Sequence, residues 1–202
     1  LRDPIIHVHK IQKLKKGNVE NSKKKYFLSI GRFTHQKNYI FLLKFIKKFF
    51  IKKNLNYFFL IIGEGEKHHE LNEYIKENSL KDFVKIIGYK NNIFPFLKKA
   101  KGLISTALWE DPGFTLIESG YLNIPVISSD CPNGPKEILD NGKNGYIFKT
   151  NDLSSFNLIF DQFINEDLHK MKEKKYKLKK LTQKFTLFSH FQILQKSLNE
   201  SK

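Results

Sequence analysis

The chain has a single cysteine, Cys131, so no internal disulfide and no multi-cysteine metal site can form, and a reducing compartment is the expected setting. It also lacks any apolar run approaching the roughly 18 residues a membrane span requires. The nearest stretch, Ile40 to Ile51, is cut by Lys44, Lys47 and Lys48. These lysines fall on one helical face and Phe41, Leu42, Phe45, Ile46 and Phe49 on the other, which reads as an amphipathic helix packed on a sheet. Arginine occurs only at Arg2 and Arg32, so the excess of 36 Lys+Arg over 20 Asp+Glu, a net charge of +16, rests on lysine. Nucleic-acid surfaces favour arginine for its bidentate contacts, and no nucleic-acid partner is expected. A lysine-rich charge does suit peripheral contact with acidic lipid. No secretory signal is visible, and the expected location is the cytoplasm, with the inner face of the membrane as an option. The start at Leu1-Arg2-Asp3 rather than Met points to a piece of a longer protein, although cloning or processing gives the same start. Seven histidines form no metal-ligand spacing: His7 and His9 alternate as in a strand, and His68 and His69 diverge on a helix. There is no P-loop, no G-x-S-x-G elbow and no Asp-x-Asp pair.

What is present is a regular alternation. At 202 residues, with 40% hydrophobic residues, the chain suits one domain with a real core. Residues 1–25 read as a linker or lead-in strand. Six short apolar strands follow: Tyr26–Ile30, Tyr57–Ile62, Val84–Ile87, Gly102–Ser105, Pro125–Ser128 and Tyr146–Phe148. Helices are expected between them over Ile40–Lys53, Glu66–Ser79, Ile93–Ala100, Phe114–Leu122 and Pro135–Leu139. The pattern predicts right-handed βαβ units in a parallel sheet of about six strands with helices on both faces, and residues 26–150 as a Rossmann-like domain. Residues 151–202 read as C-terminal helices completing that domain, over Asp152–Ile164, Leu168–Thr182 and Leu187–Leu198. The middle one carries most of the eight lysines between Lys170 and Lys184, a solvated or lipid-facing surface.

The most informative segment is Glu110-Asp111-Pro112-Gly113-Phe114-Thr115-Leu116-Ile117-Glu118. Two carboxylates flank a turn that opens an apolar helix, whose first free N–H groups and positive dipole end suit phosphate or sugar oxygens. The carboxylates can accept hydrogen bonds from vicinal hydroxyls. Taken alone, the pair fits equally a helix cap and an ordinary surface residue. After the first strand, Gly31-Arg32-Phe33-Thr34-His35-Gln36-Lys37-Asn38 places two cations on a loop, as a diphosphate needs. Gly63-Glu64-Gly65-Glu66 lacks the third glycine of a dinucleotide fingerprint and puts acids where phosphate would approach, which argues against NAD or FAD. Gly88-Tyr89-Lys90-Asn91 is placed to face a nucleobase. Asn123, between helix and strand, fits a left-handed position, and Pro135 fits the first turn of a helix.

In order, the segments GRFTHQKN, GEGE, IIGY, STALWEDPGFTLIESGYLNIPVISSDCPNGPKEIL and NGKNGYIF resemble the C-terminal, donor-binding half of a GT-B fold glycosyltransferase of the retaining GT4 family, strongly over Tyr26 to Phe148. The resemblance implies transfer of a sugar from a nucleoside-diphosphate sugar to a glycan or lipid-linked acceptor, as in surface polysaccharide biosynthesis. It implies that Arg32 and Lys37 hold the diphosphate and that Glu110 lies at the reaction centre against the sugar. Gly113, Phe114 and Thr115 then form the amide-bearing turn, Glu118 binds the ribose and Tyr89 lies at the base. No metal or other cofactor is implied. The acceptor would be bound by a preceding N-terminal domain, without which the chain alone is expected to bind but hardly to catalyse. Asp111-Pro112-Gly113 stands where Gly-Phe-Gly is usual, Asn123 where glycine is common and Thr106-Ala107 where Pro-Ser is common; these departures bear on the sugar pocket. A nucleotide-binding module without transferase activity and a GT-B sugar-nucleotide epimerase are the alternatives.

Overall fold

Continuous apolar runs bounded by glycine or asparagine become strands buried on both faces, which is what a parallel sheet demands. The computed structural model, which describes residues 4–14 and 25–200, has six: β1 (Lys25–Ile30), β2 (Tyr57–Ile62), β3 (Val84–Ile86), β4 (Gly102–Ser105), β5 (Val126–Ser129) and β6 (Tyr146–Phe148). All neighbours pair in parallel, in the order β3-β2-β1-β4-β5-β6. Among the described residues the helices are α1 (Val8–Leu14), α2 (Tyr39–Phe45), α3 (His68–Glu77), α4 (Phe94–Lys99), α5 (Phe114–Tyr121), α6 (Pro135–Ile138), α7 (Leu153–Asn165), α8 (Leu168–Thr182) and α9 (Leu187–Glu200). The expected α/β Rossmann-like architecture with C-terminal helices is thus observed.

Side-chain alternation along each strand divides the core into two layers. Phe27 of β1 and Phe59 and Ile61 of β2 face α2, α3 and α7, while Leu28, Leu60 and Ile62 face α1, α4, α5, α6 and α8. The first layer is an aromatic stack: Phe156 of α7 lies 4.0 Å from Phe45 and 4.3 Å from Phe148, centroid to centroid. Such pairs add about 0.5–1.5 kcal/mol each beyond burial. Two N-caps hold the tail in place. Asp152 accepts from the Ser154 and Ser155 amides at the start of α7, and Asp167 from those of His169 and Lys170 at the start of α8.

Two expectations are corrected. Residues Val8–Leu14, read as part of a linker or lead-in strand, form α1, with Ile11 buried under the Leu/Ile layer; residues 15–24 of that reading lie outside the described residues. Val8, Ile11 and Leu14 carry a helical spacing that the surrounding lysines obscure. Ile6 docks against the tail, its amide donating to the Phe185 carbonyl at 2.9 Å. The helix expected over Ile40–Lys53 is not uniform: α2 passes into a π turn, Ile46–Phe50, and a 3₁₀ turn, Ile51–Lys53, ended by Asn54 at φ 48°. The wider turn shifts the inward face, so that Phe50 is fully buried and Phe49, expected there, is half-buried. Asn123 does take a left-handed φ of 63°, and Pro135 stands in the first turn of α6.

The strand order places the site. From β1 the chain moves outward through β2 to β3, then returns to pair β4 with the other side of β1. The loops leaving β1 and β4 therefore diverge, opening a crevice at their carboxyl ends where ligands of such sheets bind.

Candidate functional site

The loop after β1 is held by backbone contacts on both sides. The Gly31 amide donates to the Ile62 carbonyl at 3.0 Å and the Phe33 amide to the Glu64 carbonyl at 2.8 Å. A Cβ on Gly63 would stand 1.9 Å from the Gly31 oxygen, and one on Gly65 2.6 Å from the Phe33 oxygen. The glycines of Gly63-Glu64-Gly65-Glu66 thus serve close approach of two loops rather than a phosphate cradle. On the other side, Gln36 Nε2 donates to the Trp109 carbonyl at 2.9 Å, the Leu108 amide to the Gln36 carbonyl at 2.8 Å, and Thr106 Oγ1 to the Lys37 carbonyl at 3.0 Å.

This stitching brings Lys37 to Glu110 across the β1–β4 crevice. Lys37 Nζ donates to both carboxylate oxygens of Glu110, at 2.8 Å to Oε1 and 2.7 Å to Oε2. The two side chains are 17% and 6% exposed. Ser105 Oγ lies 3.4 Å from Oε1, and the Glu110 amide donates to the Pro132 carbonyl at 3.1 Å. Burial, and then the Glu110 charge, push the neighbouring Tyr39 phenol far above its usual range.

Beyond Glu110 the chain turns through a cis Asp111–Pro112 peptide and Gly113, at φ 87°, into α5. The Gly113 carbonyl accepts from the Leu116 amide at 3.0 Å, and the preceding Phe114 and Thr115 amides have no partner within the helix. Phe114 is exposed and Thr115 half-buried. The loop after β5 backs this turn so closely that a Cβ on Gly134 would meet the Pro112 oxygen at 2.4 Å.

One turn into α5, Glu118 is half-buried, and its carboxylate has no hydrogen-bond or ion-pair partner among the described residues. Burial pushes its pKa up to about 7. It faces a cavity of about 260 Å³ shared with His7, Lys10, Lys90 and Asn91. A second cavity, of about 300 Å³, is lined by Arg32, Glu64 and Tyr89, and the two have Lys90 and Ile93 as a common wall. Tyr89 is exposed, and its amide donates to Glu64 Oε1 at 3.3 Å, so its main chain is engaged by a carboxylate.

Of the residues singled out in the sequence, Lys37 and Glu110 touch, Arg32 and Tyr89 line one cavity, Glu118 lines the adjoining one, and Gly113, Phe114 and Thr115 form the turn between the two glutamates. Direct pairing of Lys37 with Glu110 was not foreseen, since the residues are far apart in sequence and only the β1–β4 adjacency joins them. His7 and Lys10 were also missed, because the segment holding them reads as a linker. Among the described residues no three His, Cys, Asp or Glu side chains are grouped to hold a metal, and no helix is long and apolar enough to cross a membrane.

An uncharacterized glycosyltransferase of Methanocaldococcus jannaschii is 37% identical over 142 residues, covering 66% of this chain and 35% of that protein. An alpha-1,4-N-acetyl-D-galactosaminyltransferase of Campylobacter jejuni, named for a diNAcBac-PP-undecaprenol glycan, is 34% identical over 132 residues, covering 64% of this chain and 36% of the enzyme. The chain thus spans about a third of the length of the curated relatives it matches. Among solved structures, a mutant of S. aureus TarM in complex with Fondaparinux, alpha-GlcNAc-glycerol and UDP superposes with a TM-score of 0.76 at 25% identity, over 91% of this chain and 37% of TarM. The match to the family described as glycosyl transferases group 1 takes in residues 10–187, from α1 through every loop of the crevice to the first residue of α9, and the chain belongs to that family.

Proposed function

We propose that this chain is the donor-binding half of a GT4-type glycosyltransferase that transfers a sugar, with retention, from a nucleoside-diphosphate sugar to a glycan or lipid-linked acceptor. The observation that carries the reading is the placement of the two glutamates of the Glu110–Glu118 segment on either side of the α5 turn at the β1–β4 crevice, with Arg32 on the facing loop in a cavity that adjoins that of Glu118. Glu118 accepts the ribose hydroxyls, which supply the donors its buried carboxylate lacks. Arg32 forks onto the diphosphate, Lys37 adds a second positive charge, and the Phe114 and Thr115 amides meet the remaining oxygens. Glu110 accepts hydroxyls of the transferred sugar.

In the reaction, the bond between the anomeric carbon and the diphosphate oxygen breaks, the acceptor hydroxyl oxygen takes its place on the same face, and the hydroxyl proton passes to the departing diphosphate. Negative charge gathers on the departing diphosphate, where Arg32 and the helix amides face it and the Lys37 charge is close by, so the charge is stabilised without a divalent metal. Retention and the GT4 assignment rest on the motif resemblance. The acceptor class rests on the Campylobacter relative and its undecaprenol-linked substrate name, and the lysine-rich charge fits work at the inner membrane face. The acceptor is held by a preceding domain, which makes the isolated chain competent to bind but not to turn over. The longer protein, assayed in EDTA with a nucleoside-diphosphate sugar, tests this. The reading expects a product with the anomeric configuration of the donor, seen in its anomeric proton coupling; an inverted product or an absolute need for metal would contradict it.

A further inference from the structure

Lys37 is assigned to the diphosphate by the reading above, yet its ammonium is spent on Glu110. Of the three donors an ammonium has, two are taken by the two carboxylate oxygens, at 2.8 and 2.7 Å. With only 6% of its side chain exposed, Glu110 offers sugar hydroxyls little surface in this arrangement. This arrangement leaves one Lys37 donor for a phosphate and little of the Glu110 carboxylate for a sugar.

We propose that Lys37 is a two-position residue, holding Glu110 in the arrangement seen here and drawn off by a bound diphosphate, so that the sugar-binding carboxylate is uncovered only when the diphosphate is in place. The inference rests on the reading of this crevice as a diphosphate site and adds an order of events to it. Four features favour it. The Lys37 backbone is pinned, its carbonyl accepting from Thr106 Oγ1 at 3.0 Å, so movement is confined to the side chain. The stem lies over Gly31, where a Cβ would come within 3.1 Å of Cε and 3.2 Å of Cδ and Cγ; glycine keeps a free track beneath it. The Lys37 side chain is 17% exposed, so it is not sealed from solvent as Glu110 nearly is. Arg32, on the same loop, is exposed and has no ion pair among the described residues, so it can seat the first phosphate while Lys37 changes partner. A compact charge on a flexible stem suits such an exchange better than a planar guanidinium would.

Lys37 is on this account a positioning residue for Glu110 as well as a phosphate ligand. The test is calorimetric titration of the 202-residue chain with inorganic pyrophosphate, using the parent, Glu110→Gln, Lys37→Met and the double variant, each checked by thermal melting. Glu110→Gln removes the charge that competes for Lys37 and should tighten pyrophosphate about tenfold; Lys37→Met should weaken it about tenfold. In the Lys37→Met background, Glu110→Gln should change affinity by less than about twofold. An equal gain in both backgrounds would mean plain charge repulsion by Glu110 and overturn the exchange, as would no gain in the presence of Lys37. If none of the four binds pyrophosphate saturably, the diphosphate site itself is refuted and the exchange with it, a pattern distinct from the previous two. Should Glu110→Gln not fold, the Lys37 Nζ signal in NMR spectra of the parent decides: it should shift as pyrophosphate saturates, and an unmoved signal overturns the exchange.

Discussion

Glu110 and Glu118 belong to one nine-residue segment, yet the fold treats them in opposite ways. Glu110 is buried against a cation that a different βα loop supplies, so its charge is neutralised within the protein. Glu118 is half-buried with no partner among the described residues, and burial pushes its pKa up to about 7. The two ends of the crevice thus differ in how much hydrogen bonding the protein itself supplies. At Glu118 the carboxylate is desolvated and unpartnered among the described residues, and on the proposed reading a pair of ribose hydroxyls supplies the missing hydrogen bonds. At Glu110 the bonds are already made, and a ligand must compete for them.

The loop after β1 serves both ends, since it carries Arg32 toward one and Lys37 toward the other. Gly63→Ala should therefore break both together. Its Cβ would overlap the Gly31 backbone oxygen, which cannot yield as a flexible side chain could, and stability should fall by about 3 kcal/mol or more, read as a drop in Cm at unchanged m. Glu110→Ala removes one partner of the ion pair and should cost about 2–3 kcal/mol in the same denaturation experiment, the partial exposure of Lys37 softening the loss. Arg32→Ala leaves stability alone, because the side chain is exposed, but should weaken nucleoside-diphosphate binding by about 1.5–3 kcal/mol, roughly ten- to a hundredfold. Equal affinity in parent and variant would remove Arg32 from the site.

The smallest effect sharpens the contrast through pH. A carboxyl held at about 7 when folded and near 4.5 when free stabilises the fold in its protonated form, fully below pH 4.5, and that contribution is lost as pH rises through 7. Glu118→Gln should thus be as stable as the parent at pH 4.5 and more stable at pH 8, by about 1–2 kcal/mol after allowance for partial exposure. The comparison is read from urea melts at the two pH values. A difference that does not vary with pH would mean that Glu118 is not the titrating group.

Much of this was legible in the sequence because the strands are short, glycine-bounded and continuously apolar; Tyr57–Ile62, Gly102–Ser105 and Tyr146–Phe148 occur with the expected bounds. The family motifs pointed to both glutamates and to Arg32 and Lys37. What local patterns could not carry was the relation between them. The Lys37–Glu110 bond exists because β1 and β4 are neighbours, a property of strand order. The tight turn glycines Gly63 and Gly65 looked like a failed phosphate loop because the carbonyls that crowd them, Gly31 and Phe33, come from another loop. Helix α1 was obscured by the lysines around its three apolar positions, and with it His7 and Lys10 beside Glu118.

A donor site at the β1–β4 crevice is tested most simply by calorimetric titration of the chain with UDP, GDP and ADP in EDTA at moderate salt, repeated on Arg32→Ala. Binding should be saturable, select one nucleotide and weaken at least about tenfold in the variant. Equal, salt-sensitive binding of all three that survives Arg32→Ala, or none at all, would contradict it.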